Sequence, residues 1–230
     1  MQQATAKTLR RVAIFDFDGT VVDGQSGALF TTYLLRRGIM KLPRALELGW
    51  WGARYKLHLP YRQTEARELV FGALAGLDPD SVDQVMHSFH DEVLLPRYRS
   101  AARAEVARRR GEGCVTLLVS ATFQAIAEAA AKTLGVDAAV ATLMEKDGAG
   151  RYTGRVQGSV IAGPEKYAAA SAWCNEHLGC GNWELAYAYG DHHSDVDLLS
   201  RAREAFAVCP GKTLRPIAKK RGWQILDWDD

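Results

Sequence analysis

The chain has 230 residues, 47% of them hydrophobic and 24% charged, which is enough for a catalytic core with an accessory module. A formal net charge of only +2 excludes a strong field for nucleic acid or an anionic membrane surface. The four cysteines, Cys114, Cys174, Cys180 and Cys209, form no CxxC pair and do not make a disulfide framework.

Residues 1–11 are polar and lack the apolar segment of a secretory signal, and no apolar run reaches the roughly 18 residues of a membrane span. The expectation is a soluble, cytoplasmic protein. Residues 12–17 are an apolar, β-branched run ending in acidic and glycine residues, the pattern of a buried strand that delivers side chains to a loop.

Residues 24–111 carry almost no strand signal but several amphipathic helical stretches, among them 64–77 and 79–94, and read as an inserted helical cap. His87, His90 and Asp91 share a helical face there and read as ordinary packing rather than metal ligands. Trp50, Trp51 and Tyr55 read as packing of the cap, with an aromatic lining for a leaving group as the alternative. Arg54, Arg62 and Arg67 are eligible to meet a substrate anion. The basic segment 97–110 reads as a helix with a solvated face that leads back into the sheet.

Residues 114–119 repeat the strand pattern and end at Ser120; residues 184–189 end at Gly190-Asp191, and 205–208 end before Cys209-Pro210-Gly211. Helical patterns at 123–134, 166–178 and 195–203 lie between them, with Gly135 and Gly179 as stops. Segments 140–144 and 151–157 read as a hairpin, a flap on the sheet edge. Cys174, His177 and Cys180 are spaced by three but lack a fourth ligand, so packing is preferred over zinc. The alternation predicts an α/β fold: a Rossmann-like parallel sheet with helices on both faces, formed by residues 1–23 and 112–230, and an inserted α-helical cap, 24–111. Ligands of such sheets bind outside the carboxyl ends of the strands, where these polar loops converge.

Asp16-Phe17-Asp18-Gly19-Thr20 places two aspartates one residue apart after a buried strand. Spacing alone does not settle whether they share a side, because the loop can re-aim them. A carboxylate that attacks phosphorus divides one hard displacement into two easier ones, and a second carboxyl can protonate the leaving oxygen and then activate water. Asp16 suits the first role and Asp18 the second. Anionic oxygens brought against a carboxylate call for a cation; magnesium takes carboxylate oxygens, with Asp191 as the second carboxylate and Asp195 in support. Ser120 with neighbouring backbone N–H groups, and Lys166, can meet the phosphoryl oxygens.

In order and placement these segments resemble the four motifs of the haloacid dehalogenase superfamily: Asp16-Phe17-Asp18-Gly19-Thr20, Leu118-Val119-Ser120-Ala121-Thr122, Gly163-Pro164-Glu165-Lys166, and Gly190-Asp191 with Asp195. The resemblance implies Asp16 as nucleophile and magnesium ligand, and Asp18 as general acid/base with its carbonyl on the metal. It further implies Thr20 as the group that orients Asp18, and Asp191 as metal ligand. Ser120 and Lys166 would bind phosphate, together with the backbone at Gly19 and Ala121. Family dehalogenases lack the equivalent of Asp18, so hydrolysis of a phosphomonoester is the implied reaction.

The helical insertion, residues 141–143 and 148–154, and the Pro210-Gly211 segment are similar to the phosphoserine-phosphatase-like subfamily IB. Phosphoserine phosphatases carry a glutamate nine residues beyond the nucleophile, where this chain has Gln25. A neutral residue there removes a partner for an ammonium group, although Asp23 is near enough to compensate. The expected partner is a small phosphorylated metabolite; no oligomeric state follows from the sequence. Phosphoserine itself, phosphotransfer to an acceptor, and a non-catalytic binding protein are the rival readings.

Overall fold

The structure is a computed structural model and describes residues 8–56 and 63–228. Arg62 therefore lies outside the described residues, as do the Tyr55 side chain and most of the N-terminal segment. Strand β1 (Arg10–Phe15) is followed by four helices, α1 (Ser26–Arg36), α2 (Leu42–Lys56), α3 (Gln63–Phe71) and α4 (Pro79–Phe89). A π-helical turn (His90–Leu94), a 3-10 turn (Leu95–Arg97) and α5 (Ser100–Gly111) return the chain to β2 (Val115–Phe123). Then come α6 (Gln124–Leu134), β3 (Ala138–Lys146), β4 (Tyr152–Gln157), α7 (Pro164–Leu178) and β5 (Trp183–Gly190). The chain closes with α8 (Val196–Arg201), β6 (Glu204–Val208), α9 (Leu214–Arg221) and β7 (Gln224–Leu226).

Among the described residues these strands form a seven-stranded sheet in the order β4-β3-β2-β1-β5-β6-β7. All neighbours are parallel except β3 and β4, the hairpin. β1 is central: the chain first builds outward on one side through β2 and β3, then crosses over by α7 to start again on the other side with β5. That reversal opens a crevice at the carboxyl ends of β1 and β5.

The reason β1 takes this place is its composition. Val12, Ala13, Ile14 and Phe15 are all buried, as an apolar run covered on both faces requires. Strand alternation divides them: Ala13 and Phe15 enter the core shared with the helical insertion, while Val12 and Ile14 enter the core under α7, α8 and α9. The insertion is bound to the first core through aromatic contacts at the end of β2, where the Phe123 ring lies 3.9 Å from that of Phe71 and 5.7 Å from that of Phe30. On the hairpin side, Gly154 sits at φ +84° against α3, and a Cβ there would come within 3.0 Å of the Gly72 Cα.

α4 starts where its chemistry demands: Asp78 accepts the Ser81 N–H at 2.9 Å and Pro79 occupies the first turn. α6 stops at Gly135 in the left-handed conformation. Two expectations need correction. The 97–110 segment is not simply solvated, because Arg109 is buried with its guanidinium 3.5 Å over the Tyr187 ring and paired to Glu105 and Glu112. Trp50 does not pack the insertion; it is 62% exposed, whereas Trp51 is half-buried. Among the described residues, no helix is long and apolar enough to cross a membrane.

Candidate active site

Asp16 is the first residue past β1, and its N–H donates to the Tyr189 carbonyl at 3.0 Å, so that sheet pairing continues to the point where its side chain leaves. Asp191 follows β5, and Asp195 closes the 3-10 turn after it, with its Oδ2 accepting the His192 N–H at 3.1 Å. Gly190 makes this turn possible: a Cβ there would lie 2.8 Å from the Asp195 side chain. The three carboxylates each bring an oxygen within 4.8 Å of the others. Lys166, in the first turn of α7 and 4% exposed, places Nζ 2.6 Å from Oδ1 of Asp16 and 2.6 Å from Oδ1 of Asp195.

Three buried or half-buried carboxylates thus face one ammonium, and the electrostatics follow. Burial and the Asp195 charge hold Asp16 well above the usual carboxylate range, against the opposing pull of Lys166. Burial and Asp195 push Asp191 up to about 7. For Lys166, burial disfavours the charged form, but Asp16 and Asp195 outweigh it and raise its pKa. The ammonium hydrogen-bonds Asp195 but meets Asp16 off the hydrogen-bonding direction, leaving buried Oδ1 of Asp16 without a directed hydrogen bond. The donor set is all oxygen and carries surplus negative charge, which fits a hard divalent cation.

Asp18 is held differently. Its Oδ1 accepts the Ser26 N–H at 2.7 Å and its Oδ2 accepts the Ser26 hydroxyl at 2.9 Å, at the start of α1. Burial raises its pKa, opposed by these two bonds and, more weakly, by the charges of Lys166 and Arg67. Ser26 Oγ is also 2.9 Å from Thr122 Oγ1, and the Thr122 N–H donates to Ser120 Oγ at 3.1 Å. Ser120 is 1% exposed; with an acceptor site taken by Thr122, its own proton remains to be directed elsewhere.

The fold therefore brings Asp16, Lys166, Asp191 and Asp195 into direct contact range, with Asp18 and Gly19 on the loop after β1 and Ser120 in the last part of β2, opposite Ala141 of β3. Ala121 is half-buried beside Ser120, and its carbonyl accepts the Thr142 hydroxyl at 3.1 Å. Thr20 is a correction: its hydroxyl donates to Asp191 at 3.5 Å, and the group that holds Asp18 is Ser26. Ser26 and Thr122 were missed as site residues. The available signal was a small hydroxyl residue at the start of the helix that follows the Asp16 loop, and a second one beside Ser120.

Where the insertion begins, Gln25 is exposed and Asp23, itself exposed, is paired with Arg99 at 3.2 Å. Arg54 is paired with Glu65 at 2.5 Å. His192 accepts the Ser194 N–H at 3.4 Å, and burial followed by the charge of His193 lowers its pKa. A cavity of about 660 Å³ opens between α4, α6 and the β3–β4 hairpin, lined by Met86, His87, Phe123 and Tyr152; none of the site carboxylates borders it.

The chain is similar to known proteins in sequence and in fold to different degrees. A phosphoserine phosphatase of Mycobacterium tuberculosis is 29% identical over 224 residues, covering 96% of this chain and 71% of that protein. A histidinol-phosphatase of Neisseria meningitidis is 25% identical, covering 96% of this chain and all of that one. A Bordetella pertussis protein of unknown function superposes with a TM-score of 0.87 at 29% identity, covering 96% of this chain and all of that one. A phosphoserine phosphatase caught as a phospho-aspartyl intermediate analogue shares the fold, with a TM-score of 0.62 at 18% identity over 96% of this chain and 94% of that one. With residues 13–200 also matching the family model for haloacid dehalogenase-like hydrolases, this chain belongs to that family.

Proposed function

We propose that this phosphoric monoester hydrolase is a cytoplasmic, magnesium-dependent phosphatase that cleaves a small phosphomonoester through an aspartyl-phosphate on Asp16. The observation that carries this reading is the charge imbalance around Asp16: three carboxylates, one ammonium, and a buried Asp16 oxygen without a directed hydrogen bond. Asp16 and Asp191, with the Asp18 carbonyl, would hold magnesium, with Asp195 supporting; the cation would offset their charge and that of the phosphoryl oxygens.

In the first half of the reaction, an Asp16 oxygen attacks phosphorus and the ester P–O bond breaks. Protonated Asp18 gives its proton to the leaving oxygen. In the second half, Asp18 takes a proton from water, whose oxygen attacks the same phosphorus; the Asp16–phosphate bond breaks and inorganic phosphate leaves. Ser120 and the backbone at Gly19 and Ala121 donate to the phosphoryl oxygens, and Lys166 favours the ionised form of Asp16 and holds it in place. Residues 24–111 act as a cap that limits water during the reaction.

The relatives named for phosphoserine and histidinol phosphate favour a small phosphomonoester. Exposed Gln25 and the Asp23–Arg99 pair argue against ammonium recognition of the phosphoserine type at this loop. Arg67, whose charge reaches Asp18, is a candidate contact for an anionic group of the substrate. A panel of phosphorylated metabolites that includes both compounds, assayed with and without magnesium, tests the reading. Wild-type protein is expected to release phosphate only with the cation, and Asp16→Asn none. Wild-type turnover by Asp16→Asn would overturn the covalent mechanism. Phosphate appearing on an added alcohol, with no release in its absence, would turn the reading to phosphotransfer.

A further inference from the structure

The Ser26 hydroxyl has one proton and two acceptors at the same distance, Oδ2 of Asp18 and Oγ1 of Thr122, each 2.9 Å away. The acid/base residue of the proposed reaction must serve in two protonation states, and this geometry supplies a hydrogen-bond arrangement for each. We propose that Ser26 and Thr122 are positioning residues that form a hydroxyl switch for Asp18, an inference that rests on the acid/base role given to Asp18 above.

When Asp18 is ionised, the Ser26 N–H and O–H bind its two oxygens together and aim the carboxylate as a base; the Thr122 hydroxyl can then donate to Ser26 Oγ. When Asp18 has taken the proton from water, the Ser26 hydroxyl turns to Thr122 Oγ1 and Oδ2 is released to carry the proton for the next leaving group. No proton leaves Ser26; only its direction changes. Asp18 gains one proton from water and loses one to the leaving oxygen, so each turnover closes. The Ser26 N–H keeps its bond to Oδ1 throughout and prevents the carboxyl from swinging away.

Both partners are held for this task. Ser26 is 1% exposed in the first turn of α1, with its backbone fixed by the helix. Thr122 is 7% exposed between Ser120, whose Oγ accepts its N–H, and Phe123, whose ring is packed on Phe71. Thr122 thus also ties the Asp18 clamp to the phosphate-binding strand end.

The test compares kcat/KM, which reports the phosphorylation half alone, for an alkyl phosphate and for p-nitrophenyl phosphate. The second has a leaving group that departs without a proton. Thr122→Val removes the alternative acceptor at nearly constant shape and leaves the Ser26 clamp on ionised Asp18. It is expected to lower kcat/KM for the alkyl ester about tenfold and for the aryl ester less than about twofold, with Thr122→Ser restoring the first. Ser26→Ala is expected to make the phosphoenzyme accumulate, because the base is no longer aimed, and Ser26→Thr to reverse this. Equal losses on both esters, or no loss on either, would overturn the switch. Asp18→Asn protein, which keeps the nucleophile but lacks the base for the second half, quenched after p-nitrophenyl phosphate and treated with hydroxylamine tests the underlying reading separately. Absence of a hydroxylamine-labile phosphate would remove the Asp16 mechanism, whatever the ester comparison shows.

Discussion

Gly19 lies so close to Asp191 that a Cβ on residue 19 would stand 2.2 Å from the Asp191 Oδ2, and its φ of +74° is one that side-chain-bearing residues rarely adopt. The loop that carries both aspartates of the first motif is thereby folded directly onto the carboxylate after β5. Gly19→Ala must push the two apart. A loss of about a hundredfold or more in magnesium-dependent turnover is expected, since misplacement by an ångström has that effect in positioned sites. Steady-state kinetics, with a circular dichroism spectrum to show that the fold persists, provide the check.

The acidic cluster makes the metal-free protein sensitive to pH. Asp191 has an ordinary value near 3.8 when unfolded and about 7 when folded. Below pH 4 both states hold the proton and Asp191 contributes nothing to the pH dependence. As pH rises from about 4 to about 7 the unfolded state releases the proton first, so stability falls, and above 7 the loss is complete. Thermal unfolding in EDTA is expected to show a falling midpoint across that window. Excess magnesium, which favours the ionised carboxylate, should flatten the slope, and Asp191→Asn should make it shallower. A midpoint that rises with pH in the metal-free Asp191 protein, relative to Asp191→Asn, would contradict the assignment.

Phe123 joins the sheet to the helical insertion through Phe71 and Phe30. Phe123→Ala leaves a cavity at that joint and is expected to cost about 3–5 kcal/mol, the range for a buried phenylalanine. Urea unfolding measures it as a lower midpoint at an unchanged slope.

Arg109 is the buried link between α5 and the sheet, stacked over Tyr187 and hydrogen-bonded to Tyr189 at 2.8 Å and Glu105 at 2.9 Å. Arg109→Leu leaves Glu105, which also pairs with exposed Arg108, facing an apolar side chain. A destabilisation of about 3–5 kcal/mol is expected, as when one member of a buried pair is removed. Adding Glu105→Gln should recover part of it, and denaturant melts of the single and double variants decide the matter.

Much of this protein was legible in its sequence because its central strands are buried on both faces. Residues 12–17, 114–119 and 184–189 needed only to be apolar runs ending in polar loops to be recognised, and the two long helices between the second and third runs stop at Gly135 and Gly179. The order of Asp16, Ser120 and Asp191 at or beside the ends of parallel strands was likewise a property of one dimension, since a parallel sheet sends every such end to the same edge; Lys166 follows the antiparallel β4 and was legible only through its motif. The tail was not legible: β7 has three residues and pairs with β6 only because α9 folds back first, and such a short strand carries no periodicity of its own.

What the sequence by itself determined was the family, the sheet, and which carboxylates would gather at its edge. Which oxygen meets which proton was decided only in three dimensions. Thr20 turned to Asp191, Ser26 took Asp18, Lys166 was shared between Asp16 and Asp195, and Arg109 went under the sheet's aromatic face instead of into solvent. Each of these depends on the direction of a side chain across a loop or between elements far apart in the chain. Residue type and spacing constrain that direction weakly, and packing constrains it strongly.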